Sequence, residues 1–94
     1  MPTTVNLKSD APQEINISNS AGISITNVSG GSIHYYVDYK PATSTTYKPI
    51  KDGVLPNSGG NTLGLTKAQI GQDAIRVSVT GAVDDGKTIA TLVY

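Results

Sequence analysis

Ile33-His34-Tyr35-Tyr36-Val37-Asp38-Tyr39-Lys40 alternates without interruption. Ile33, Tyr35, Val37 and Tyr39 fall on one face, and His34, Tyr36, Asp38 and Lys40 on the other. Period two belongs to an extended chain whose successive side chains point to opposite sides of a sheet. It predicts a strand with Tyr35 and Tyr39 in the core or at its edge, and Tyr36 facing away. The same period recurs on both sides of this run. Val5 and Leu7 form an opening pair, Ile15 and Ile17 flank Asn16, and Ile23 and Ile25 flank Ser24. Val28 follows after a one-residue change of phase, which suggests a bulge. Ile75, Val77 and Val79 make a further strand. In the closing run Thr88 to Tyr94, the alternation puts Ile89 with Val93, and Leu92 with Tyr94. That run is apolar on both faces, so it is either central in a sheet or covered by another subunit.

Turn residues punctuate these runs. Asn19-Ser20-Ala21-Gly22 separates two of them, while Ser29-Gly30-Gly31-Ser32 and Asp84-Asp85-Gly86 read as tight hairpins. Several short strands at about ten-residue spacing predict an all-β chain. The architecture expected is one antiparallel β-sandwich, Ig-like or jelly-roll-like, or a small barrel of about seven or eight strands. The helical content expected is one turn near residues 66–71, capped by Thr66 and ended by Gly71. Lys40 to Asn61 breaks the pattern with Pro41, Pro49 and Pro56. Short edge strands at Thr45–Lys48 and Val54–Leu55 are expected there, their prolines blocking further strand addition. Residues 1–94 read as one domain, with residues 1–8 as an N-terminal arm or edge strand.

Composition narrows the function. The chain has 94 residues, with 9 Ile, 8 Val and 11 Thr but no Phe, Trp or Cys. Seven basic residues balance seven acidic ones, which argues against a nucleic-acid binder held by phosphate attraction. No stretch approaches the ~20 apolar residues of a membrane span. Met1-Pro2-Thr3-Thr4 has neither the basic nor the apolar region of a signal peptide. A core without bulky Phe or Trp and without disulfides makes burial against a partner a natural supplement.

No site chemistry is marked. His34 and Asp38 share a strand face about 13 Å apart, too far to hold one ion, so His34 reads as a surface histidine. Asp84-Asp85-Gly86 lacks the alternating ligands of a calcium loop. Ser58-Gly59-Gly60-Asn61 lacks the lysine and helix of a phosphate cradle. Asn16-Ile17-Ser18 and Asn27-Val28-Ser29 match the glycosylation triplet by chance. Neither a serine nucleophile motif nor paired carboxylates stand out. The reading is therefore a protein that is not an enzyme and uses no metal or cofactor.

Five segments together resemble head-decoration or cement proteins of tailed bacteriophages: Asn27-Val28-Ser29-Gly30-Gly31, Ile33-His34-Tyr35-Tyr36-Val37, the loop Pro41 to Tyr47, Leu55-Pro56-Asn57-Ser58-Gly59, and Leu92-Val93-Tyr94. The resemblance implies a virion structural protein made in the host cytoplasm. Such a protein docks on the outer capsid surface, binds the major capsid protein and acts as an oligomer or lattice of copies. Expected interface residues are Val5, Leu7, Tyr36, Tyr47, Lys48, Ile50, Val54, Leu55, Leu92 and Tyr94, with residues 1–8 engaging a neighbour. The alternative is a carbohydrate- or receptor-binding sandwich of a tail or fibre. That reading uses Tyr36 or Tyr47 as a stacking platform, with Asn57, Asn61 and Asp52 as polar partners.

Overall fold

A computed structural model describes residues 3–56, 60–81 and 88–94. In chain order the elements are β1 (Thr4–Lys8), β2 (Gln13–Asn16), β3 (Gly22–Asn27), β4 (Ile33–Tyr39), β5 (Lys48–Leu55), β6 (Thr62–Thr66), α1 (Lys67–Ile70), β7 (Ala74–Gly81) and β8 (Thr88–Val93). They form two four-stranded antiparallel sheets, ordered β1-β8-β3-β6 and β2-β7-β4-β5. β1 pairs with β8, β2 with β7, β3 with β6 and β4 with β5. The chain is thus one long hairpin, outward through β1–β4 and back through β5–β8, rolled up on itself. Rolling adds two contacts, β3 with β8 and β4 with β7. This is the jelly roll. It selects one of the architectures the sequence leaves open and leaves the sheets unclosed.

Most inward positions follow from alternation. Leu7, Ile25, Leu92 and Ala90 on the first sheet meet Ile33, Val37, Val77 and Val79 on the second, all nearly or wholly inaccessible. Tyr35 is the one buried aromatic among the described residues, and its ring lies across Gly53, its partner on β5. A Cβ on Gly53 would come within 2.9 Å of the Tyr35 hydroxyl oxygen, so the missing side chain makes room for the ring. β8 is central in its sheet, between β1 and β3. Its alternation is broken, however. Leu7 pairs with Ala90 and Lys8 with Thr88, so Ile89 is an extra residue. This bulge turns both Ile89 and Ala90 inward and leaves Val93 facing out, so Ile89 and Val93 do not share a face.

The first sheet-to-sheet corner on the outward path is bonded to β7, and the other two are bonded to corners on the return path. Ser9 and Asp10 bind the backbone of β7, with Asp10 N–H donating to Val79 O at 3.0 Å. Ile17 N–H donates to Asp73 O at 2.7 Å, Lys67 N–H to Ala21 O at 2.8 Å, and Lys67 Nζ pairs with Asp73 at 3.1 Å. α1 occupies that second corner. Thr66 and Gln69 close a reciprocal cap at its start, and Gly71 ends it in the left-handed region at φ 74°.

The third corner corrects two expectations. β3 and β4 lie in different sheets, so Ser29-Gly30-Gly31-Ser32 is a crossover and not a hairpin. The phase change at Val28 is no bulge either. The inward alternation of β3 continues to Asn27, which is 3% exposed, while Val28 is 51% exposed. Asn27 Nδ2 donates to Gly31 O, Leu55 O and Pro56 O at 2.7–3.0 Å. Its Oδ1 accepts from Ser29 N–H and Ser29 Oγ at 2.9 and 2.8 Å. One buried amide therefore ties the β3–β4 corner to the β5–β6 corner.

The proline-rich stretch also differs from expectation. Lys48–Leu55 is a single eight-residue edge strand, with Ile50 bulged between Pro49 and Lys51. Pro49 is tolerated because β5 has a partner only on one side. β7 and β8 lie in different sheets, and Asp84-Asp85-Gly86 falls outside the described residues.

Candidate interaction face

Outward positions on the second sheet form three cross-strand rows. Glu14, Arg76, Asp38 and Pro49 lie side by side, then Ser78, Tyr36 and Asp52, then Thr80, His34 and Val54. Cross-strand neighbours of this kind are within side-chain reach. Arg76 uses that reach fully. Its Nε and Nη2 donate to the two Asp38 carboxylate oxygens at 2.9 and 2.7 Å, a bidentate pair. The bond to Asp38 holds the guanidinium pKa above its ordinary value, so Arg76 stays charged.

That guanidinium then serves as a platform. Its central carbon lies 3.6 Å from the centroid of the Tyr47 ring, within cation–π range. The Tyr47 hydroxyl donates to the Glu14 carboxylate, and Lys40 Nζ sits 5.8 Å from the same ring. Asp38, Arg76, Tyr47 and Glu14 thereby pin the 40–47 loop over β7 and β2. Beside Tyr47 runs a groove of about 350 Å³ lined by Glu14, Asn16, Lys40, Ala74 and Ile75. Further along β4, the His34 and Tyr36 rings stack at 4.5 Å and 9°. Val54, 61% exposed, stands next to His34 across the sheet.

The hydrogen bond to Glu14, reinforced by that carboxylate's charge, raises the Tyr47 pKa above its ordinary value, and the Arg76 charge opposes the shift. The fold therefore favours the neutral phenol. Its stabilising contribution is present below the unfolded tyrosine value of about 10 and is lost as pH rises through the higher folded value. A spectrophotometric difference titration between the natural chain and Tyr47→Phe should isolate one phenol ionising late. Glu14→Ala should bring it earlier; an unmoved curve would mean the bond does not form in solution.

The expected interface residues separate into three groups. Tyr36, Tyr47 and Val54 lie on this outer face, with Lys48 exposed at the start of its edge strand. Leu7 and Leu92 are 0% exposed and Leu55 4%, so alternation has turned them into the core and away from any partner. Val5, Ile50 and Tyr94 are half-buried against that core. Residues 4–8 form a paired edge strand of the first sheet. The glycan platform expected at Tyr47 has one ring face under Arg76. Asn61 is occupied at the far corner, donating to Asn27 O at 3.1 Å, and Asn57 lies outside the described residues. Asn27 is buried and unsuited to glycosylation.

Glu14, His34, Asp38 and Arg76 complete the face without having been among the expected interface residues. Their outward phase was readable from alternation, whereas the register that brings Arg76 between Glu14 and Asp38 was not. Comparison with protein-family models, curated proteins and solved structures returns no match.

Proposed function

We propose that this chain is a non-enzymatic structural protein of a tailed-phage virion. In this reading it is a capsid decoration or cement protein, bound to the outer surface of the assembled head, where it holds neighbouring major capsid subunits together. The observation that carries the reading is the outer face of the second sheet. Tyr36, Tyr47 and Arg76 stand there in an arrangement already fixed by stacking and ion pairing. Tyrosine and arginine dominate the binding energy of protein interfaces, and side chains ordered beforehand lose little entropy on docking. The charges of Glu14, Asp38, Arg76 and Lys40 cancel, which suits copies packed side by side on a lattice. Jelly rolls recur in viral capsid domains, a fold-level analogy that favours the same reading.

The groove beside Tyr47 favours a second reading, a glycan- or receptor-binding module of a tail or fibre, since jelly rolls also serve as lectins. Co-sedimentation with expanded heads of the phage that encodes the chain separates the two. Saturable binding is expected, weakened about tenfold or more by Tyr36→Ala combined with Val54→Asp, with thermal unfolding little changed. Binding that ignores both substitutions would remove this face from the contact. Absence of head binding, together with glycan-array binding that Tyr47→Ala abolishes, would establish the second reading in place of the first.

A further inference from the structure

Four strands lie at sheet edges, and three carry devices that discourage pairing. β2 is four residues long, follows Pro12 and bears Glu14. β5 contains Lys48, Pro49, Lys51, Asp52 and a bulge. β1 carries Lys8 and faces the irregular register of β8. β6 has none of these. Thr62-Leu63-Gly64-Leu65-Thr66 is uncharged, lacks proline and keeps an unbroken register with β3.

The direction of its free groups follows from the ladder. Asn27 N–H donates to Asn61 O and Lys67 N–H to Ala21 O, so 27/61 and 21/67 are hydrogen-bonded positions of the ladder. In an antiparallel ladder such positions alternate with non-hydrogen-bonded ones. Leu63 and Leu65 therefore bond to β3, while Thr62 and Gly64 aim their backbone groups outward. The Thr66 N–H is already held by Gln69 Oε1 at 2.8 Å. Thr62 and Gly64 remain open to an incoming strand, and space around the missing Gly64 side chain is clear.

The segment also reads the same in both directions about Gly64. We infer that β6 is a self-pairing edge. Two copies join antiparallel about a two-fold axis through Gly64, so that the first sheets fuse into one eight-stranded sheet. Gly64 then faces Gly64 of the second copy and exchanges two hydrogen bonds with it. Thr62 faces Thr66, whose N–H and carbonyl are committed to the cap and first turn of α1, so the Gly64 pair carries the new backbone bonds. Leu63, half-buried in one copy, packs against Leu65 of the other. A two-fold contact requires a surface complementary to itself, and this palindrome with no charge meets the requirement. The inference rests on the edge of the first sheet alone and is independent of the capsid reading, which concerns the opposite sheet.

The test is sedimentation equilibrium of the full chain over a concentration series, with amide exchange followed at Gly64. A reversible monomer–dimer equilibrium is expected, with Gly64 exchange slowing as the dimer forms. Gly64→Lys places like charges face to face and should weaken association at least about tenfold, and Gly64→Glu should do the same. Circular dichroism should show both variants folded, because a Cβ at this position meets nothing within 4 Å. Mixing the two variants should restore association, since lysine then faces glutamate. A monomer at every concentration, or a dimer indifferent to both variants, would overturn the inference. A mixture no tighter than either variant alone would overturn the register.

Discussion

Replacing Asn27 with aspartate is expected to cost about 4 kcal/mol at neutral pH, more than the roughly 3 kcal/mol expected for Asn27→Ala. The side-chain amide of Asn27 donates to three carbonyl oxygens, and one of them, Leu55 O, is in a buried bond. Alanine leaves those acceptors short of a donor. Aspartate does worse, because it aims a carboxylate at the same oxygens with nothing to donate. A domain of this size is stable by about 5–14 kcal/mol, so either change is a large fraction of the whole. Only the aspartate variant carries a new titratable group, so the two differ in their response to pH. The fold disfavours the ionised carboxyl at position 27, so its folded pKa is raised. The Asn27→Asp deficit should therefore shrink as pH falls through that folded value and reach its floor near the unfolded value of about 4. Urea unfolding of the three proteins across the acid range measures this. An Asn27→Asp deficit smaller than that of Asn27→Ala, or constant with pH, would mean the corner is not held by this amide.

Asn27 also shows where sequence stops informing about this fold. The alternation through Ile33–Tyr39 was legible because one face is buried and the other is not. The apolar surplus of the last strand was legible too, but its cause was not, because a bulge turns Ile89, Ala90 and Leu92 all inward. The cap at Thr66 and the stop at Gly71 depend only on neighbouring residues, so they could be placed in advance. Ser29-Gly30-Gly31-Ser32 could not be resolved in the same way. A glycine turn has the same composition whether the chain pairs back on itself or crosses to the other sheet. Only the pairing of β3 with β6 and β8 decides it. The Arg76–Tyr47–Glu14 arrangement joins residues far apart in the chain, and no local periodicity encodes such a register. The inward turn of both Ile89 and Ala90 likewise comes from an unequal count of residues on paired strands.

Removing residues 1–8 is expected to abolish cooperative folding, which changes how an arm must be tested. β1 supplies Leu7, 0% exposed, between the sheets. Its loss alone is expected to cost about 3 kcal/mol. The deletion also strips β8 of one of its two neighbours and removes the reciprocal bonds between Thr3 and Tyr94 at 2.6 and 2.9 Å. At about 1 kcal/mol for each ladder bond lost, the total passes 5 kcal/mol, the lower end of what such a domain possesses. Near-featureless thermal melting and rapid proteolysis should follow. A truncated chain that still melts cooperatively would place Leu7 outside the core and restore the arm. Failure of the truncated chain to bind capsids would therefore report unfolding and not a lost contact. The outward side chains Thr4 and Asn6 are exposed on β1, so substitutions there leave the core intact. Reduced capsid occupancy in such a variant, with melting unchanged, would be evidence that this edge touches a neighbour.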